Sequence, residues 1–263
     1  MKIAILQSAE LPFDKAKLNY YLNIAKTEGA KLFVLPEYVL NRFFKELEKI
    51  PVNFIKEQSN HQLKLLKKLS LVYNITIIAP LIIVKSGKKY KSLVRFQKGK
   101  ARFYYQQILM PYPHWNEDSF FEKKESKPLI FSIGNIRVGA MFGFEAHFSK
   151  YWDYFSEKKA DVVIVPSVGT FNSSKRWFEL LKTFAFIKNV YVARVNRVGN
   201  WNEWEFYGES FVVSPDGELI NSLGNKEELL ITNIDKNLVK ESRREWKFGQ
   251  LSRRLTLFEP ECP

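Results

Sequence analysis

Residues 3–37, IAILQSAELPFDKAKLNYYLNIAKTEGAKLFVLPE, decide the fold. Residues 3–7 form a short apolar run that reads as a buried strand. Residues 14–28 carry helical spacing, with Leu18, Leu22 and Ala25 on one face and Gly29 placed to end the helix. Residues 31–35 are a second apolar run, stopped by Pro36-Glu37. Strand, helix and strand in succession predict a parallel pair joined by a crossover helix.

The same grammar continues along the chain. Residues 54–73 read as a long helix and 75–84 as a second apolar strand region. Residues 90–96 and 102–107 read as a hairpin around Lys98-Gly99-Lys100. Residues 129–133 and 136–142 make another around Gly134-Asn135. A helix over 148–158, a strand over 161–165, a helix over 173–188 and a strand over 190–195 follow. Residues 209–214 and 218–223 flank the turn Pro215-Asp216-Gly217, and 229–234 is the last clear strand. Such β–α units alternating with hairpins predict an α/β protein with mixed sheets and helices on the outer faces. No linker composition or internal repeat interrupts the pattern. Residues 1–263 are therefore expected to form a single domain, with a C-terminal tail from about residue 247.

Composition excludes several classes. Of 263 residues, 46% are apolar and 15% aromatic, which argues for a substantial core and against disorder or low complexity. The net charge of +13 raises the possibility of a nucleic-acid partner, but the charge is dispersed. Its densest clusters are short: residues 85–91, residues 98–102, and Arg243, Arg244, Arg253 and Arg254. They read as solvated surface, so nucleic acid is not an expected partner. The longest apolar run, 75–84, is broken by Thr76 and Pro80 and falls short of the roughly 20 residues of a membrane span. With no secretory apolar segment after Lys2, a cytoplasmic location is expected. The single cysteine, Cys262, excludes a disulfide framework and a Cys-rich zinc site. His61, His114 and His147 match no ligand spacing, so neither metal nor cofactor is expected.

Several predicted strand ends carry distinctive residues. They include LPE at 35–37, ADVVIVPS at 160–167, NRVG at 196–199 and FYGESFVVSPDGELI at 206–220. In this order and spacing, over almost the whole chain, they resemble the nitrilase, or carbon–nitrogen hydrolase, superfamily. The resemblance implies a four-layer α-β-β-α sandwich with two mixed sheets, and pairing into a homodimer or higher homo-oligomer. It also implies amide or nitrile chemistry by a Cys nucleophile, a Glu base and an oxyanion-stabilising Lys, with a second Glu in support. A thiolate needs a neighbouring base, and the developing oxyanion needs a fixed cation or donor.

Carried over residue by residue, the family's base matches Glu37 and its supporting acid matches Glu117. The family's lysine lies in a pattern like Tyr-Arg-Lys-x-His-Leu, which here reads Tyr104-Tyr105-Gln106-Gln107-Ile108-Leu109, so Gln106 stands at that position. The nucleophile follows a strand like Val-Gly-x-x-Ile-Cys-Tyr-Glu. Here that reads Val138-Gly139-Ala140-Met141-Phe142-Gly143-Phe144-Glu145, with Gly143 in place of the cysteine. Residues 184–188, FAFIK, depart from the family's RAxEN. Cys262, in the tail, is not expected to reach the pocket. Gly143 is expected to keep a tight turn by adopting unusual backbone angles.

These substitutions predict a pocket in which Glu37, Glu117 and Glu145 lie near one another without a cation. Like charges so close cannot all ionise cheaply, so one carboxyl has a raised pKa or a bound cation joins them. The expected function is a non-catalytic module for a small amide or amine ligand, or for a protein partner. The alternative is a cysteine-independent amide hydrolase, in which Glu37 activates water and Gln106 with backbone amides holds the oxyanion. Ser167 and Ser210 read as structural. The stretch WNEWEFY at 201–207 reads equally as a cover over the pocket mouth, a dimer seam or a packed surface loop.

Overall fold

A computed structural model describes residues 1–11, 15–170 and 173–252. Its centre is a pair of six-stranded sheets. The first runs, edge to edge, Glu228–Asn233, Lys2–Gln7, Leu32–Val34, Thr76–Lys85, Lys88–Gln97 and Lys100–Tyr105. The second runs Leu219–Ser222, Phe211–Val213, Tyr191–Asn196, Val162–Ser167, Ile136–Ala140 and Leu129–Ile133. In both, three parallel strands lie at the centre and antiparallel strands flank them.

The layering follows from strand periodicity. Successive side chains point to opposite faces, and both faces of each central strand are covered. Ile3, Ile5, Leu32 and Val34 meet Val138, Val162, Ile164 and Ala193 between the sheets. Their neighbours Ala4, Leu6 and Phe33 face outward, onto Leu18 and Leu22 of the helix Lys15–Thr27 and Leu66 and Leu69 of the helix Val52–Val72. On the other side, Val163, Val165 and Val192 pack against Trp152 and Phe155 of Ser149–Glu157 and Leu181 and Ala185 of Ser174–Lys188. The protein is an α-β-β-α sandwich with two mixed sheets. No helix among the described residues is long and apolar enough to cross a membrane.

Some local features depart from the sequence reading. The aromatic stretch near 201–207 is a hairpin, Val198–Trp201 with Trp204–Tyr207. Its Trp204 and Phe206 are buried against Phe43, and Trp204 also meets Trp115 at 5.0 Å between ring centroids. With Asn202, Glu203 and Glu205 exposed, the stretch is a surface hairpin whose Trp204 and Phe206 rings pack inward, the packed-loop alternative of the three. The segment read as a tail opens with a short helix, Phe248–Ser252, whose Phe248 ring lies 5.3 Å from Phe186. Asp14, Arg253, Arg254 and Cys262 lie outside the described residues.

Candidate active site

The site forms where strand ends from both sheets converge. The strand Leu32–Val34 runs into Leu35-Pro36-Glu37, and the Glu37 amide donates to the Ser167 carbonyl at 3.3 Å. That bond joins the end of a central strand in the first sheet to its counterpart in the second. Tyr38 follows with φ +56°, and Arg197 Nη1 donates to its carbonyl at 2.9 Å. Glu37 is thus held from both sides by backbone contacts, and its side chain is buried.

A lysine that the sequence reading placed in a solvated basic cluster faces it. Lys91 lies in the strand Lys88–Gln97, on the same face as Leu93, which packs between the sheets. It is 4% exposed. Its ammonium ion-pairs with Glu37 and donates to Glu117 Oε1 at 2.6 Å. Tyr38 Oη donates to the same Glu117 oxygen at 2.5 Å. The Met110 amide approaches Glu117 Oε2 at 3.5 Å. The expectation of carboxylates without a cation is therefore corrected: a lysine from the strand beside Gln106 bridges two of them.

The charges respond accordingly. Burial pushes the Glu37 carboxyl up to about 7, and Glu117 adds repulsion while Lys91 pulls it back. Burial opposes the charge on Lys91, but Glu117 and Glu37 outweigh it and hold its pKa above the usual lysine range. The ammonium also lies 4.8 Å from the centre of the Tyr38 ring and 5.2 Å from that of Phe142.

Gln106 does not reach this cluster as a donor. Its Nε2 donates to the Ile108 carbonyl at 2.8 Å, and its buried Oε1 has no hydrogen-bond partner. Glu145 lies apart from the Lys91 cluster. Its Oε1 accepts from Tyr104 Oη at 2.6 Å, Tyr151 Oη at 2.9 Å and the Gln107 amide at 2.8 Å, and its Oε2 from the Phe142 amide at 3.2 Å. Burial raises its pKa against these stabilising hydrogen bonds. It acts as a tie between strand ends and does not line the pocket.

Gly143 does face Glu37. Its amide approaches Glu37 Oε1 at 3.3 Å. Its backbone is ordinary right-handed helical, φ −52° and ψ −51°, so unusual angles do not explain the glycine. Close approach does. A Cβ on residue 143 would lie 2.8 Å from Ser167 Cβ and 3.1 Å from Ser167 Cα. Ser167 turns its hydroxyl away, toward Asn196 Oδ1 at 3.2 Å.

Glu37, Gly143 and Ser167 share the floor of a cavity of about 210 Å³. Its walls include Tyr112, Trp115, Phe144 and Trp177, with His114 and His147. Sequence reasoning missed the aromatic walls and Lys91. The signal for Lys91 was period-2 alternation with Leu93, masked by Lys88 and Lys89 beside it. Among the described residues, no three His, Cys, Asp or Glu side chains are grouped to hold a metal ion.

The sequence model of the carbon–nitrogen hydrolase family matches residues 4–244. The chain belongs to that family. This carbon–nitrogen hydrolase homologue is 25% identical over 224 residues to a Staphylococcus lugdunensis protein described as a hydrolase in the agr operon, covering 84% of this chain and 94% of that one. Its fold superposes on a carbon–nitrogen hydrolase from Helicobacter pylori with a TM-score of 0.85 at 22% identity, over 95% of this chain and 94% of the other. An amidase from Nesterenkonia sp. AN1 matches with a TM-score of 0.78 at 20% identity, over 97% and 99%. That structure is of a mutant of the amidase and shows Michael addition of acrylamide at its active-site cysteine.

Proposed function

We propose that this family member holds a small amide- or amine-bearing molecule in the Glu37 cavity without forming a covalent bond to it. The observation that carries the reading is Gly143. It offers no nucleophile opposite Glu37, and Ser167 fills the space where a side chain would begin. The thiol route used on this scaffold needs a sulfur beside the base. Here the base, its ammonium partner and the supporting acid remain grouped around a closed floor. Glu37 then meets a polar ligand head, and Lys91 with Glu117 behind it fixes its position. The position matched by Gln106 takes no part, because its amide is committed to the Ile108 carbonyl.

The test is ammonia release from short amides, N-carbamoyl compounds and nitriles by wild type and Glu37→Gln, alongside ligand-induced changes in melting temperature. Thermal stabilisation by amides or amines without release above the variant's background supports the reading. Release that disappears in Glu37→Gln replaces it with hydrolysis by Glu37-activated water.

A further inference from the structure

The floor and walls of the cavity differ in a way that selects by charge. Among the described residues that line it, Glu37 is the only carboxylate, and none is a Lys or Arg. Lys91, the nearest ammonium, lies outside the lining and is shared between Glu37 and Glu117. Two carboxylates against one ammonium leave one negative charge uncompensated, and Glu37 is the member that reaches the cavity. Burial lifts the Glu37 carboxyl to about 7, and Glu117 adds to the rise while Lys91 opposes it. The rings of Tyr112, Trp115, Phe144 and Trp177 line the rest of the cavity, and a cation seated over the face of such a ring is favoured over a neutral group.

We propose that the Glu37 cavity takes a compact primary ammonium ion, its nitrogen against Glu37 and its short hydrocarbon chain against the aromatic walls. The inference rests on the reading of the cavity as a non-covalent ligand site and specifies its ligand class. The net charge of +13 does not oppose it. Charges spread over the surface are screened within about 8 Å at physiological salt, whereas Glu37 meets the ligand directly. A carboxylate ligand would add a third negative charge to the Glu37–Glu117 pair. A neutral amide would fit the volume but leave the charge uncompensated.

Butylammonium, butyramide and butyrate have similar length and carry charges of opposite sign or none. Titration calorimetry of each against the full chain at pH 8 tests the proposal. The expected result is butylammonium binding about tenfold or more tighter than butyramide, with no detectable butyrate binding. Glu37→Gln should erase the preference, so that butylammonium no longer binds more tightly than butyramide. Butyramide binding as well as or better than butylammonium overturns the cation inference and leaves the ligand-site reading standing. No binding of any of the three overturns both. An ammonium preference that survives Glu37→Gln also overturns the inference, because it places the cation elsewhere. If Glu37→Gln does not fold, Trp177→Ala takes its place: a larger loss for butylammonium than for butyramide supports the proposal, and equal losses overturn it.

Discussion

Lys91 and Gln106 are joined through the backbone: the Gln106 main-chain N–H donates to the Lys91 carbonyl at 2.9 Å. Their side chains diverge. Lys91 reaches the two acids between the sheets, while Gln106 bonds to the Ile108 carbonyl. The cation of this site is thus supplied by the strand that pairs with the one leading into Gln106.

Removing that cation should be costly. Lys91→Met would leave Glu37 and Glu117 buried together with no counter-charge. Breaking a buried ion pair from one side typically costs about 3–5 kcal/mol. Urea denaturation at pH 8 should show a loss of that size. A loss below about 1 kcal/mol would mean the acids are relieved by another route.

Stability should depend on pH through Glu37. Its carboxyl rises from 4.5 to about 7 on folding, so the native state binds more protons than the unfolded chain between those values. Stability from this group is present below pH 4.5 and declines as pH rises toward 7. Glu37→Gln removes the titration. Relative to that variant, wild type should lose about 2–3 kcal/mol between pH 4.5 and pH 8. Parallel stability curves for the two proteins would contradict the assignment.

Residue 143 should resist a side chain until Ser167 is trimmed. Gly143→Ala places a Cβ 2.8 Å from Ser167 Cβ, a conflict of the kind that costs about 1–3 kcal/mol. Adding Ser167→Gly should recover part of the loss. The recovery is incomplete because Ser167 Cα would still lie 3.1 Å away. A double-mutant cycle by denaturation measures the coupling, and strict additivity would show that the two positions do not compete for space.

Glu145 should behave as a structural anchor. Glu145→Ala leaves the buried Tyr104 hydroxyl and the Phe142 amide without their acceptor. The expected cost is about 2–4 kcal/mol, combining lost charged hydrogen bonds with unsatisfied donors. Thermal denaturation of Glu145→Ala beside Tyr151→Phe, which removes a single donor, separates this role from simple loss of volume. Equal effects from both would deny Glu145 its place as the hub.

The fold was readable because its core strands are continuous apolar runs and its two helical layers show 3.6-residue spacing. Glu37 and Gly143 could be located by motif order, and they do meet. Lys91 could not, because Lys88 and Lys89 beside it made the segment look like exposed surface. Burial of Lys91 depends on Glu37 and Glu117, which are distant in sequence and meet it only when the sheets stack. The reason for Gly143 was misread for a similar cause. A single sequence shows a missing side chain, but the obstacle is Ser167 on another strand. The aromatic walls were equally hidden, since Tyr112, Phe144 and Trp177 come from three separate segments.

The bond from the Glu37 amide to the Ser167 carbonyl crosses from one sheet to the other at the cavity floor. The two sheets cannot separate at this end without breaking that bond, so parting of the layers and loss of the cavity floor go together. The Glu37 amide proton is accordingly expected to exchange with solvent slowly for a residue outside a strand.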